Sequence, residues 1–395
     1  MKYAIETERA DLFDVNIIIT ISVKLEKDVS FNTLNTAFKK ACTLHEVLKS
    51  KIIIEPNGEA YYVDAENPQN SFSKTDLSIT ELIQENQKRR FKIEDGEFIR
   101  AFQSPDGLVF MMHHLGGDGK SLMYFIETFM NCLAGNETAF APFKNLTLVN
   151  LPEKSKVPFF YNMLVKSWNK KWRKQKKVFT FADMDCEYEK FWKNHDTKIE
   201  IKKYEGTELS NLLTSAKSLG VSLTAYLITQ MLQTANTKMD VGLAVDGRLD
   251  NNRSMGNQAT GISILYKYNS KKTFEENARC VHKLMKQKLS NQLYRYFVLH
   301  FMGMMDSTLK DSLNLERADY FHSKTSSQVA ELLGYGKKVK DLSITNLTRA
   351  DIPLTYGEHT IKEITFIPPI VSYAKHVIGI VTAGDVMTVS SSIYL

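Results

Sequence analysis

The sequence predicts a mixed α/β protein, an α+β sandwich built as two lobes. Three observations predict it. At 395 residues the chain is longer than one hydrophobic core usually serves, and a scale of roughly 150 residues per domain implies two units. Strand-like and helix-like hydrophobic periods alternate up to about residue 133, and the alternation resumes near Ile199. Between them, residues 136–180 gather proline, lysine and aromatic residues. The expected division is an N-terminal lobe over 1–150, a basic aromatic crossover over 151–180, and a C-terminal lobe over 181–395.

In the first half, Val15–Leu25 is rich in β-branched residues and reads as a strand. Ser30 can cap a helix that carries Phe31, Leu34, Ala37, Phe38, Ala41 and Leu44 at helical spacing. Two short strands, Lys51–Glu55 and Ala60–Val63, flank the Pro56-Asn57-Gly58 turn. A helix over Thr80–Phe91 precedes strands Phe98–Gln103 and Leu108–His114 around the Pro105-Asp106-Gly107 turn, and a helix over Ser121–Leu133 closes the half. In the second half, strands are expected at Lys198–Lys203, Val241–Val245, Gly261–Tyr268, Leu342–Asn346, Glu363–Ile367, Val377–Val381 and Val386–Tyr394. Helices are expected at Glu208–Leu219, Ser222–Leu232 and Phe274–Leu289. The Met- and aromatic-rich stretch Tyr294–Met305 can serve as core or line an apolar pocket.

An apolar share of 43% and a charged share of 24% exclude wholesale disorder. The net charge of +6 favours anionic partners, such as a CoA-type cofactor, an acidic carrier protein or an anionic lipid surface. Cys42, Cys132, Cys186 and Cys280 lie far apart without a Cys/His cluster, which argues against zinc and for reduced thiols. The first residues, MKYAIETERADLF, mix acids with bases and lack the apolar run of a secretory signal. The run Val15–Val23 is broken by Asn16, Thr20 and Ser22 and falls short of a membrane span. A cytoplasmic protein is expected.

The segment His113-His114-Leu115-Gly116-Gly117-Asp118-Gly119 carries the chemistry. It lies where a strand gives way to a loop and a helix, a place where a rigid scaffold presents reactive groups. One reading is a histidine pair at a strand end followed by a Gly-Asp-Gly turn. A metal site is a second, opposed by the alternation of strand side chains, which sends His113 and His114 to opposite faces. The third is general-base catalysis, since an imidazole titrates near neutrality and can take a proton from an attacking hydroxyl or amine. Asp118 could orient the histidine or hold the loop through an ion pair. No Gly-x-Ser-x-Gly elbow marks an enzyme nucleophile, which fits direct transfer from an activated donor to an acceptor.

HHLGGDG resembles the HHxxxDG motif of the CoA-dependent acyltransferase superfamily, in the same strand-to-helix context. That group includes nonribosomal peptide condensation domains, alcohol acyltransferases and polyketide-associated acyltransferases, and is related to chloramphenicol acetyltransferase. Other segments agree in order. Leu44-His45-Glu46-Val47-Leu48-Lys49 is similar to an early H-x-x-L-R segment, with Lys49 in place of arginine. Val245-Asp246-Gly247-Arg248 with Gly256-Asn257 resembles the second-lobe "D-x-R … G-N" region, and Ser343–Asn346 the late S-x-x-N strand. The resemblance implies two chloramphenicol-acetyltransferase-like lobes forming a pseudo-dimeric V with a central tunnel. It implies His114 as the catalytic base, with an acyl-CoA or phosphopantetheinyl thioester as donor and no tightly bound cofactor. It also implies structural roles for His113, Asp118 and Gly119, with Arg248 pairing with Asp118 and Gly119 leaving the tunnel open. A condensation-type enzyme that forms an amide from a carrier-protein thioester, and a non-catalytic binding module, stand as alternatives. The chain lacks the Asp-Phe-Gly-Trp-Gly of the plant BAHD branch. No adenylation or carrier sequence accompanies it, so a stand-alone enzyme is expected.

Within the crossover, Phe159, Phe160, Met163, Leu164, Trp168 and Trp172 recur at helical spacing, and Lys166, Lys170, Lys171, Lys174 and Lys177 supply a basic face. Such a helix can pack its apolar stripe on the protein, lie in a membrane interface through 159–177, or bind an acidic partner such as a carrier protein. Basic residues confined to one segment without a recognised binding motif argue against nucleic acid.

Overall fold

Serine, threonine and aspartate caps start most of the helices, and β-branched runs supply the strands between them. The computed structural model describes residues 1–335, 339–371 and 374–395. The chain opens with β1 (Lys2–Ala4), a 3-10 turn (Arg9–Asp11) and β2 (Ile18–Leu25). Helix α1 (Phe31–Thr43) follows, capped by the Ser30 hydroxyl, which accepts from the Thr33 N–H at 3.2 Å. Next come β3 (Ser50–Ile54), β4 (Ala60–Asp64), β5 (Ser71–Lys74) and α2 (Ile79–Gln87), the helix started by a Ser78–Glu81 capping box. Strands β6 (Ile99–Ser104) and β7 (Gly107–His113) lead into α3 (Gly119–Leu133). Then come α4 (Phe159–Arg173), α5 (Phe181–Lys193), β8 (Thr197–Glu205), α6 (Gly206–Ser218) and α7 (Leu223–Ala235). Strands β9 (Lys238–Asp246) and β10 (Ala259–Lys267) precede α8 (Phe274–Ser290), α9 (Gln292–Gly303), α10 (Ser307–Arg317) and α11 (Lys324–Leu333). Five strands close the chain: β11 (Leu342–Arg349), β12 (Thr355–Tyr356), β13 (His359–Ile367), β14 (His376–Ala383) and β15 (Val386–Tyr394).

Two six-stranded sheets organise these elements, in the orders β12-β13-β2-β7-β6-β5 and β10-β9-β11-β14-β15-β8, beside a small β1-β4-β3 sheet. Both large sheets are mixed, since β5 runs parallel to β6, and β11 parallel to β9 and β14. The first core packs α1 and α3 against its sheet through Phe38, Phe110, Phe125 and Phe129. The second packs α6, α7 and α8 against its own through Ile228, Leu232, Ile264 and Val281. The mixed α/β architecture with two sheets matches the expected fold class.

Two strands, β12 and β13, cross the expected boundary. Glu363–Ile367 reads as a strand of the second half, yet β13 pairs antiparallel with β2, from Ile361 opposite Leu25 to Ile367 opposite Thr20. Residues 355–367 thereby complete the first sheet, while β14 and β15 return to the second. The sheets are also stitched together here: the Thr388 and Ser390 hydroxyls donate to the carbonyls of Ile364 (2.9 Å) and Phe366 (2.7 Å). Most of the Tyr294–Met305 stretch lies in α9, where Tyr296, Leu299, His300, Phe301 and Met302 are buried in core and Tyr294 and Val298 are exposed.

Candidate active site

Strand β7 delivers the histidines to the seam of the molecule. His113 is the last residue of the ladder, opposite Ile18 on β2, and the His114 N–H donates to the Ile17 carbonyl at 3.0 Å. A 3-10 turn over His114–Gly116 then breaks the strand. Gly117 sits at φ +149°, and a Cβ there would lie 2.4 Å from the Ser121 side chain, so only glycine allows α3 to start here. Asp118 caps that helix, its Oδ1 accepting from the Ser121 N–H at 2.9 Å.

The two imidazoles have separate environments. His113 is buried; its Nδ1 accepts the Leu115 N–H at 3.1 Å, and its ring meets Phe91 edge-on. Burial pushes it down to about 3, aided by His114, Arg90 and Arg100, so it is neutral and packed. The His114 side chain keeps 17% of its surface exposed. Burial lowers this imidazole as well, opposed chiefly by the Asp118 carboxylate, which leaves it neutral near pH 7.

Both Asp118 carboxylate oxygens are occupied. Oδ2 accepts from Arg248 Nη1 at 2.9 Å and from the Gln258 N–H at 3.0 Å. Oδ1 accepts from Arg248 Nη2 and the Ser121 hydroxyl, both at 3.1 Å, in addition to the cap. Arg248 also donates to Asp246 at 3.1 Å and to the Ser121 hydroxyl at 3.0 Å. Burial works against the guanidinium charge, but Asp118 and Asp246 outweigh it and raise its affinity for the proton. A Cβ on Gly119 would lie 3.1 Å from the Leu347 and Phe366 side chains, which belong to β11 and β13. The motif's glycine is thus pressed against both large sheets.

The sequence reading missed a carboxylate. Asp11, at the end of the first 3-10 turn, places Oδ2 3.8 Å from His114 Nδ1, which has no hydrogen-bond partner among the described residues. The same Asp11 oxygen accepts from Asn257 Nδ2 at 2.6 Å. Burial pushes Asp11 up to about 7, Asp14 adds to the shift and Asn257 opposes it. Glu8, also pushed up by burial to about 7, accepts from Asn145 at 2.9 Å. Tyr62 donates to the Leu115 carbonyl at 3.0 Å, pinning the turn after His114.

Helix α10 explains how Asp11 is held. Arg9 forms a fully buried ion pair with Asp311, at 2.6 and 2.7 Å. Lys310 donates to the Glu6 carbonyl at 2.9 Å and Asn314 to the Ala10 carbonyl at 2.5 Å. The only sequence signal was the charged string Glu6-Thr7-Glu8-Arg9-Ala10-Asp11.

The other motif positions disperse. Asn257 joins the site through Asp11, whereas Asn346 donates to Thr224 on α7 at 2.9 Å. His45 is buried against Thr128 at 3.0 Å, and Lys49 lies over the Phe140 ring. Among the described residues, no group of three or more His, Cys, Asp or Glu could hold a metal ion. No described helix is long and apolar enough to cross a membrane.

No protein-family model matches the sequence, and no curated protein matches it either. The architecture is nevertheless that of the condensation domains of peptide and polyketide synthases. The condensation domain of the Monacolin K polyketide synthase MokA superposes with a TM-score of 0.63 at 11% identity, over 100% of this chain and 92% of that one. Polyketide synthase associated protein 5 from Mycobacterium tuberculosis gives 0.62 at 12% identity, over 100% and 92%. A variant of the starter condensation domain of rhizomide synthetase RzmA, in complex with C8-CoA, gives 0.60 at 10% identity, over 100% and 89%. Likeness at these identities shows the fold alone.

Proposed function

We propose that the protein is an acyltransferase that moves an acyl group from a thioester donor, acyl-CoA, to a hydroxyl or amine acceptor. The observation that carries this reading is His114: a neutral, partly exposed imidazole at the end of β7, backed by the Asp11 carboxylate, on a fold shared with condensation domains. His114 takes the acceptor proton as the hydroxyl or amine attacks the thioester carbonyl. The tetrahedral intermediate collapses, the carbon–sulfur bond breaks, and the imidazolium returns its proton to the departing thiolate. The products are an ester or amide and a free thiol.

The remaining residues position this step. Asp118 and Arg248 brace the loop, Gly119 lets the start of α3 press against Leu347 and Phe366, and His113 packs beneath the turn. Asp11 is a positioning residue: its charge, 3.8 Å from Nδ1, favours the imidazolium that forms as the acceptor attacks.

A second reading takes the donor from a phosphopantetheinyl carrier protein and forms an amide. Its support is that condensation domains of polyketide and peptide synthetases are among the structures sharing the fold. A mass-spectrometric product screen separates the two. The protein is incubated with several acyl-CoAs or with acylated carrier protein, plus a metabolite extract as acceptor source. New ester or amide with acyl-CoA supports the first reading, product from the carrier alone supports the second, and product from neither contradicts both.

A further inference from the structure

Between Lys154 and Ala182 the chain carries eight lysines and one arginine and not a single carboxylate. These nine cations exceed the net charge of +6, so the rest of the chain is net −3. The positive excess of the protein therefore resides in one segment, with Lys166, Lys170, Lys171 and Arg173 on α4 itself.

The structure divides the aromatic stripe of that helix in two. Val165, Trp168 and Trp172 are buried, with Trp172 Nε1 donating to Thr308 at 2.7 Å and Asn169 to the Met304 carbonyl at 3.0 Å. The inner face is thus already docked on the protein. Phe159, Phe160 and Met163 point outward, 73%, 69% and 57% exposed. On the same outer face, Lys166, Lys170 and Lys171 have no carboxylate partner among the described residues. Helix α9 packs on α4 through Phe297 and Phe301 against Tyr161, and leaves Tyr294 and Val298 exposed.

An apolar tip followed by a column of unpaired lysines matches two layers of one surface. Aromatic side chains enter the boundary between acyl chains and headgroups, while lysines meet anionic headgroups. An acidic protein would match the lysines but leave two exposed phenylalanines and a methionine without a reason to be clustered at one turn.

We propose that the outer face of α4 docks the protein on anionic lipid bilayers, with Phe159, Phe160 and Met163 inserting and the lysines holding the headgroups. This stands independently of the acyl-transfer reading. The test is co-sedimentation of the full chain with vesicles of phosphatidylcholine alone or mixed with phosphatidylglycerol, at low and high salt. The expected result is at least about tenfold more binding to the anionic vesicles, weakened by salt. Two double variants separate the layers: Phe159→Ser with Phe160→Ser, and Lys166→Glu with Lys170→Glu. Each alters exposed side chains, so unchanged thermal midpoints certify folding, and each should lower binding about tenfold. Binding that survives either double variant, equal binding to neutral vesicles, or capture by acidic protein or RNA without vesicle binding overturns the proposal.

Discussion

Asp118 and Arg248, 130 residues apart, form a two-pronged ion pair at 2.9 and 3.1 Å with side chains only 6% and 4% exposed. The pair ties the cap of α3 to the loop after β9, and so fixes the turn that carries His114 to the second sheet. Removing one member leaves the other charged, buried and unpaired. Arg248→Ala should therefore cost about 3–5 kcal/mol in urea unfolding, and Arg248→Lys, which lacks the fork, a measurable part of it. Unchanged stability in Arg248→Ala would remove the pair from the account.

The Asp11 carboxylate gives a pH signature. Its proton affinity is raised to about 7, so its charge is present above that pH and lost as the pH falls through it. His114 is lowered and stays neutral over this window. Turnover per unit substrate, kcat/KM, should fall as pH drops through 7. In Asp11→Asn that step should vanish and kcat should fall about tenfold at pH 8, with KM little changed. An unaltered pH profile in the variant would show that the carboxylate does not act on the imidazole.

Glu187 predicts a stabilising substitution. It is fully buried, and neither carboxylate oxygen has a hydrogen-bond partner among the described residues. Burial raises it well above its ordinary value, with Asp14 and Asp311 adding to the shift. A raised carboxyl binds its proton more tightly folded than unfolded, so stability declines as pH rises above the unfolded value. Glu187→Gln should raise the thermal midpoint by about 2 °C at pH 8 and by less at pH 5. Equal gains at both pH values would contradict the buried charge.

Gly256 marks a close approach of backbones. It sits at φ +139°, and a Cβ would fall 1.9 Å from the Lys144 carbonyl oxygen, with the Ser121 hydroxyl donating to its own carbonyl at 2.9 Å. Gly256→Ala should cost about 2 kcal/mol or more and loosen Asn257, its neighbour, from Asp11. Thermal melting together with the Asp11 pH signature checks both halves.

The histidine motif was readable from residue types and order, because caps, glycines and strand ends are local features, whereas Arg248, 130 residues from Asp118, was reached only through the family resemblance. Asp11 was not readable. Its approach to His114 depends on α10, whose buried Lys310 and Asn314 grip the Glu6 and Ala10 carbonyls while Asp311 pairs with the Arg9 side chain. A helix face so polar reads as a surface segment until its partners, the Glu6 and Ala10 carbonyls and the Arg9 guanidinium, are known. The strand at 363–367 was legible, but its place in the first sheet was not, since local period says nothing about which neighbour a strand pairs with. The crossover helix was legible as amphipathic, while the outward turn of Phe159 and Phe160 depended on what Trp168 and Trp172 pack against.

The central claim is that His114 moves the proton of the acceptor. The most direct measurement compares single-turnover rates of wild type and His114→Ala with the acyl-CoA and acceptor found by the product screen. The account predicts a fall of about 10²–10⁴-fold with donor binding and thermal midpoint preserved. Full retained turnover in His114→Ala would contradict it.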